Sequence, residues 1–420
     1  MKKLKVFEAF SGYGSQSIAL RNIGVNYEVV AISEINKYAI KAYEAIHGQV
    51  NNLGDISKID VKDVPEHDLF TYSFPCTDVS IAGKREGIIK GQTRSGLLYE
   101  CERIIEHCKP KYLLLENVKN LVGKKFKLQF DGWLNYLEQL GYTNYWSILN
   151  SKDYGVPQNR ERVFVVSILG DSNDYKMPSS IKLVKSIKDI LEDNVDNRFY
   201  LDREFSLVEK DSNFKSCGSK DLELIVNNEE VKPKIIEHKI VQNVRVRKHE
   251  VDVESLKSLL RTSRANNKIS VGDIAKKLNV PKTKAEHWFR TDNCFSIPDE
   301  NIWLELKALL NITTDDFDKP IMEFEVKPNT YDMSNRVYGI NGISPTLTCT
   351  GESGTKKILE SNGRIRRLTP RECFRLMGVC DKDIDKIENV QIPVGQQYKL
   401  AGNSIVVQVL EHIFTAMLGR

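Results

Sequence analysis

The chain has 420 residues, enough for a large core and two or three lobes rather than one small module. Its net charge of +4 is mildly basic, compatible with a polyanionic partner but too small to demand one. No long apolar run is present and an acid follows at once in MKKLKVFEAF, so neither a membrane span nor a secretory leader is expected. The cysteines form no C-x-x-C pair, which points to reduced thiols in a cytoplasm and to no metal site.

Val6-Phe7-Glu8-Ala9-Phe10 reads as a buried strand, Ser11-Gly12-Tyr13-Gly14-Ser15 as a glycine turn, and residues 17–21 as the opening of a helix. Strand, tight turn and helix N-terminus form a cradle for an anionic or nucleotide-like ligand, because backbone approaches closely and N–H groups point outward. The glycine spacing is not the dinucleotide fingerprint and there is no Walker lysine, so a phosphate cradle is the weaker reading. Residues 29–33 form a second strand ending at Glu34, whose carboxylate suits a ribose diol, and Asp55 ends a short polar stretch suited to an adenine edge. In this order the signals look like an S-adenosylmethionine site. Leu69-Phe70-Thr71-Tyr72-Ser73-Phe74 is a third strand; Pro75 ends it and leaves Cys76 at the carboxyl edge, where α/β sheets gather their chemistry. Taken alone, such a cysteine is a buried apolar residue. Segment 80–96 carries four glycines with Lys84, Arg85, Lys90 and Arg94, the makeup of a mobile basic lid or of a floppy basic loop. Tyr112-Leu113-Leu114-Leu115-Glu116-Asn117-Val118 is a further strand with a carboxylate at its end, and Gln158-Asn159-Arg160-Glu161-Arg162 precedes the strand 163–166.

These motifs together resemble the DNA (cytosine-5)-methyltransferase family. The matching residues are Phe10-Ser11-Gly12-Tyr13-Gly14, Pro75-Cys76, Glu116-Asn117-Val118, Gln158-x-Arg160-x-Arg162, Arg367-Leu368-Thr369-Pro370-Arg371-Glu372 and Gly402-Asn403-Ser404, in the family's order across about residues 1–175 and 340–420. Thr77 departs from the family's usual glutamine, a departure expected to change a loop contact without removing activity. The resemblance implies that Cys76 attacks carbon 6 of a cytosine flipped out of duplex DNA, that Glu116 neutralises charge at N3, and that Arg160 or Arg162 holds the base carbonyl. It implies S-adenosylmethionine as cofactor, held by Phe10, Ser11, Gly12, Gly14, Glu34, Ile35, Asp55, Ile56, Pro75, Leu98, Asn403 and Ser404. Ser80, Lys84, Arg85 and Arg94 are then expected on double-stranded DNA. The expected protein is a cytoplasmic, nucleoid-associated monomer, sequence-specific, with a restriction endonuclease as a functional rather than physical partner.

The expected fold is an open α/β sheet of the S-adenosylmethionine-dependent methyltransferase type with a smaller, irregular target-recognition lobe. Residues 1–175 and 345–420 make the catalytic domain and 176–344 the target-recognition region, where the sequence turns polar and irregular. Within it, residues 253–313 read as short helices and resemble a phage-repressor helix-turn-helix, against an ordinary inserted helical bundle as the plainer reading. Ser270 is an N-cap and Pro281 starts the next helix, 282–290. That helix buries Ala285, Trp288 and Phe289 and turns Lys282, Thr283, Lys284, His287 and Arg290 toward DNA. Two other functions stay open: a tRNA cytosine methyltransferase, and a DNA-binding regulator using the insert.

Overall fold

The computed structural model describes residues 3–75, 88, 92–170, 174–201, 206–209, 234–329, 336–349, 351 and 355–419. Cys76, Thr77, Ser80, Lys84 and Arg85 therefore lie outside the described residues, as does the side chain of Arg94. The chain forms two compact units, residues 1–239 with 336–420 and residues 240–335. The division falls within the expected target-recognition region, and residues 176–239 belong to the first unit.

The first unit is built on β1 (Leu4–Ala9), β2 (Tyr27–Ser33), β3 (Leu69–Tyr72), β4 (Tyr112–Val118), β5 (Tyr142–Asn150), the two-residue β6 (Gln158–Asn159) and β7 (Glu161–Leu169). Six of them form one mixed sheet in the order β2-β1-β3-β4-β7-β5. Strands β1 to β4 run parallel, and β7 is antiparallel to both β4 and β5. Parallel strands buried on both faces read as unbroken apolar runs, and alternate residues supply two cores. Val6, Leu69, Leu114 and Phe164 face one, with Ile18 of α1 (Ser15–Asn22) and Ala42 of α2 (Lys37–His47). Phe7, Phe70, Leu113 and Val163 face the other, with Ile104 of α3 (Leu98–Cys108) and Trp133 of α4 (Lys127–Gln139). The chain leaves β1 toward β2 and returns on β1's other side as β3, so a topological switch point lies at the carboxyl ends of β1 and β3, where such sheets bind ligands.

The second unit has its own core. It contains α5 (Val253–Asn266), α6 (Val271–Lys277), α7 (Lys282–His287), α8 (Glu300–Leu309) and α9 (Asp318–Met322), packed around Leu256, Ile274, Ala285, Trp288, Trp303 and Leu306. Asp252 caps α5 and Ser270 caps α6 through their side chains. Between α6 and α7, Asn279 takes a left-handed φ of 50° and Val280 N–H donates to Ala275 O at 2.9 Å, a helix stop that asparagine tolerates well. Helix α7 ends at His287, short of the expected residue 290, because Ser296 N–H turns back to take His287 O at 3.0 Å.

Returning to the first unit, the chain continues through α10 (Pro370–Arg375), α11 (Asp381–Asn389), α12 (Val394–Asn403) and α13 (Val407–Leu418). Thr369 and Glu372 close a capping box at the start of α10. The apolar stretch 394–418 is broken between α12 and α13, and each helix is shorter than the ~20 residues a bilayer span needs. Helix α13 packs on α1, the helix after β1.

Candidate active site

The glycine turn follows β1 directly. Phe10, Gly12 and Gly14 all have left-handed φ, of 54°, 58° and 81°. The two glycines differ in what surrounds them. A Cβ on Gly14 would lie 2.5 Å from His47 Nε2 and 2.7 Å from Tyr43 Cε2, so packing on α2 excludes any side chain there. Among the described residues, a Cβ on Gly12 would meet nothing within 4 Å. Ser11 Oγ, buried beside it, has no hydrogen-bond partner among the described residues.

Glu34, at the tip of β2, organises this edge. Its Oε2 accepts from Gly12 N–H at 3.1 Å, and its Oε1 from Ile35 and Asn36 N–H at 2.9 and 2.8 Å. A carboxylate offers about four acceptor sites, so one remains for a ligand hydroxyl. Ile35 beside it is 69% exposed, an apolar face without protein cover. Phe10, Ile56, Phe74 and Leu98 share one apolar cluster behind the turn. Asp55 caps a short 3-10 turn, accepting from Ser57 N–H at 3.1 Å and Ser57 Oγ at 2.8 Å, and these bonds hold its pKa below the usual carboxylate value. From the far end of the chain, Ser404 brings its Oγ to 2.5 Å from Ser15 Oγ at the first turn of α1; Asn403, exposed, is the last residue of α12. A glycine turn, an unpartnered buried hydroxyl, a carboxylate with spare acceptor capacity and an uncovered apolar side chain fit an adenosyl group.

The second cluster lies on β4 and β7. Val118 pairs with Arg162 and Glu116 with Phe164, which sets Arg162 diagonal to Glu116; Arg162 Nε lies 3.2 Å from Glu116 Oε1. Burial pushes the Glu116 carboxyl above its usual pKa, against the opposing pull of Arg162 and Arg160. The two arginines part company here. Arg160 is 3% exposed and donates through Nη1 to Leu347 O at 3.0 Å and through Nη2 to Gly402 O and Ser404 O at 3.1 and 2.7 Å. It thereby ties the segments bearing Thr346-Leu347 and Asn403-Ser404 to this end of the sheet. Gln158 does similar work, donating to Leu376 O at 2.7 Å and accepting from Leu347 N–H at 2.9 Å. Pro75 sits past the end of β3, and Asn117 of β4 donates to the preceding carbonyl, Phe74 O, at 3.1 Å. Asn117's contact was not anticipated from the sequence; a polar residue at the end of an apolar strand was the available signal.

In the second unit, Lys282, Thr283, His287 and Arg290 are exposed and Lys284 is half-buried. Their charges have partners: Lys282 faces Glu286 at 3.8 Å, Lys284 pairs with Asp299, and Arg290 Nε donates to Asp292 at 2.9 Å. His287 Nδ1 lies 2.7 Å from Cys294 O, and Arg290 stands beyond the end of α7.

The family model for C-5 cytosine-specific DNA methylases matches residues 4–419. Among curated relatives, the type II methyltransferase M2.ScrFI of Lactococcus lactis subsp. cremoris is 44% identical over 252 residues, spanning 47% of this chain and 70% of the relative. The orphan methyltransferase M.SPRI of Bacillus phage SPR is 31% identical over 466 residues, spanning 100% of this chain and 98% of its own. Among solved structures, S. pombe Dnmt2 methyltransferase aligns with a TM-score of 0.57 at 17% identity over 99% of both chains. The Entamoeba histolytica methyltransferase EhMeth gives 0.59 at 15% identity, over 100% of this chain and 99% of that one. At these identities the structural likeness carries the fold alone.

Proposed function

The chain belongs to the C-5 cytosine-specific DNA methylase family, and we propose that it methylates a cytosine flipped out of duplex DNA at a specific sequence, with Cys76 as nucleophile. The observation that carries this reading is the Glu116–Arg162 pair, a buried carboxyl with raised proton affinity held at the sheet end where Pro75 leads into Cys76. Carbon 5 of cytosine is a poor nucleophile until something adds to carbon 6. A thiolate suits that step, being intrinsically nucleophilic with a free pKa near ~8.5. As the Cys76 sulfur bonds to carbon 6, electron density moves to N3, and protonated Glu116 donates its proton there. Arg162 steadies the resulting carboxylate and reaches the base carbonyl, while Arg160 acts as a positioning residue through the carbonyls it holds. Once carbon 5 has gained the methyl group, N3 returns its proton to Glu116, and loss of the carbon 5 proton to a base breaks the carbon–sulfur bond and frees Cys76 as a thiolate.

Enzymes of this family use S-adenosylmethionine, which supplies an electrophilic methyl group. Glu34 would hold its ribose, Asp55 the adenine edge, and Phe10 and Ile35 the adenine face; Ser11, Gly12, Gly14, Ile56, Leu98, Asn403 and Ser404 would line the remainder. Extruding the cytosine costs a few kcal/mol, and Ser80, Lys84, Arg85 and Arg94 are proposed to contact the DNA that must open.

Residues 253–313 are proposed as a helix-turn-helix whose α7 meets target or flanking DNA. The exposed Lys282, Thr283, His287 and Arg290 support that reading, and phosphates would take over the ion pairs these side chains now make with Glu286 and Asp292. Relatives named as type II methyltransferases favour a functional tie to a restriction endonuclease of the same site. The test is methyl transfer to plasmid and to tRNA, with bisulfite sequencing of the plasmid. Plasmid should be methylated at one recurring sequence. Cys76→Ala should lose turnover and keep DNA binding, and a 5-fluorocytosine duplex should trap only the parent enzyme. Methylation of tRNA alone, or turnover by Cys76→Ala, would overturn the reading.

A further inference from the structure

Beyond Tyr72 the third strand leaves the sheet, and residues 73–75 must be fixed by something other than the strand ladder. Pro75 has no N–H, so the peptide unit before it offers only the Phe74 carbonyl, and Pro75 itself offers only its own carbonyl. Both carbonyls are gripped, and by side chains from different elements. Asn117 of β4 donates Nδ2 to Phe74 O at 3.1 Å, and its own Oδ1 is fixed by Val118 N–H at 2.9 Å. Ser95 donates Oγ to Pro75 O at 2.7 Å.

Ser95 is itself rigidly placed. It is 0% exposed, within the 3-10 turn Arg94–Leu97 that Thr93 caps through Gly96 N–H at 3.2 Å. That turn leads without a break into α3, whose Leu98 shares an apolar cluster with Phe74. The Pro75 carbonyl belongs to the planar peptide unit that also contains the Cys76 nitrogen, so fixing that oxygen fixes the plane from which the nucleophile's residue departs. Nothing in the sequence singles Ser95 out, and the mechanism above does not use it.

We propose that Ser95 is a positioning residue for the nucleophile: its hydroxyl, with Asn117 on the preceding carbonyl, sets the approach of Cys76 to the flipped base. This rests on Cys76 being the nucleophile. A misplacement on the order of 1 Å can cost about a hundredfold in rate without touching ground-state binding. The expected signature is therefore confined to the chemical step.

The experiment compares wild type, Ser95→Ala and Ser95→Thr in steady-state methylation, in the single-turnover rate of trapping on a 5-fluorocytosine duplex, and in thermal melting. Ser95→Ala should lower kcat and the trapping rate together by about tenfold or more, with the KM for DNA and for S-adenosylmethionine unchanged. Ser95→Thr, which keeps the donor, should recover most of the rate. If threonine overfills the buried site and abolishes a cooperative melt, Asn117→Ala replaces it and should show the same kcat-only loss. Unchanged kcat in Ser95→Ala, or a rise in KM and a drop in melting temperature along with the loss of kcat, would overturn the proposal. Mass spectrometry of the wild-type adduct separates the two levels: an adduct on a residue other than Cys76 sinks the nucleophile assignment, whereas a Cys76 adduct with a normal Ser95→Ala rate sinks only the role of Ser95.

Discussion

Replacing Glu8 with glutamine should change how stability depends on pH by an amount the structure fixes. Glu8 lies at 0% exposure in β1, one strand position before Ala9 and the glycine turn. Its Oε1 accepts from Ser17 Oγ at 2.7 Å, and its Oε2 is buried without a hydrogen-bond partner among the described residues. Burial pushes its pKa up from 4.5 to about 7, against the smaller pull of the Ser17 bond. The folded protein then keeps a proton that the unfolded chain releases near pH 4.5. The stability this contributes is fully present below that pH and is lost as pH rises through 7. At 1.36 kcal/mol per unit, the span from 4.5 to 7 amounts to about 3 kcal/mol. His47 works in the opposite sense: burial lowers it to about 4, so its contribution is present above its ordinary 6.5 and lost as pH falls through 4. The two slopes oppose each other between pH 4.5 and 6.5 in the native protein, and His47 cancels when the variant is subtracted. Urea unfolding of wild type and Glu8→Gln from pH 4 to 8 should give a difference that is level below about pH 4.5, drops by about 3 kcal/mol, and levels again above about pH 7. A difference constant within roughly 0.5 kcal/mol, the scatter of a surface substitution, would refute a neutral buried Glu8.

Glu116→Gln should lower kcat by about 10²–10⁴, the worth of a positioned acid. If Glu116 delivers the N3 proton, kcat should fall as pH rises through its pKa, which burial raises against the pull of Arg162 and Arg160, and the variant should lose that limb; a loss under about threefold would assign the N3 proton elsewhere. Glu34→Ala removes a ribose contact and also the carboxylate that holds Gly12, Ile35 and Asn36 N–H, so calorimetry should show S-adenosylmethionine binding weakened by roughly tenfold or more. Unchanged affinity would move the cofactor away from this edge. If α7 and the residues just after it read bases, Lys284→Ala or Arg290→Ala should cost about 1–3 kcal/mol on the target site and relax its sequence preference. Loss spread evenly over all sequences, with a salt slope about one unit shallower per charge removed, would limit these residues to phosphate contact.

The parallel half of the sheet was legible because its strands are buried on both faces. β1, β2 and β4 each carry an apolar run, Val6-Phe7, residues 29–32 and residues 113–115, and β4 occupies the residues Tyr112 to Val118 that its composition marks out. The caps Asp252 and Ser270 and the buried Ala285 and Trp288 were likewise local signals, set by residues a turn apart. What was not legible depends on partners distant in sequence. Lys284 and Arg290, expected to face DNA, meet Asp299 and Asp292, acids that follow the helix and carry no mark of their target.

Arg160 and Arg162 show most clearly where the sequence stops deciding. Two residues apart, they would share one face of a continuous strand, and either was a candidate for the base carbonyl. The strand is not continuous: β6 ends at Asn159, β7 begins at Glu161, and Arg160 stands in the interruption. There its backbone N–H turns to Asn150 Oδ1 at 3.0 Å and its guanidinium to the carbonyls of Leu347, Gly402 and Ser404. Arg162, inside the ladder opposite Val118, is left facing Glu116. One arginine thus joins the late motifs to the sheet while the other meets the acid, a division of labour set by a one-residue break in a strand. The same logic covers Ser95, whose target is a backbone carbonyl 20 residues away and therefore has no residue type to announce it.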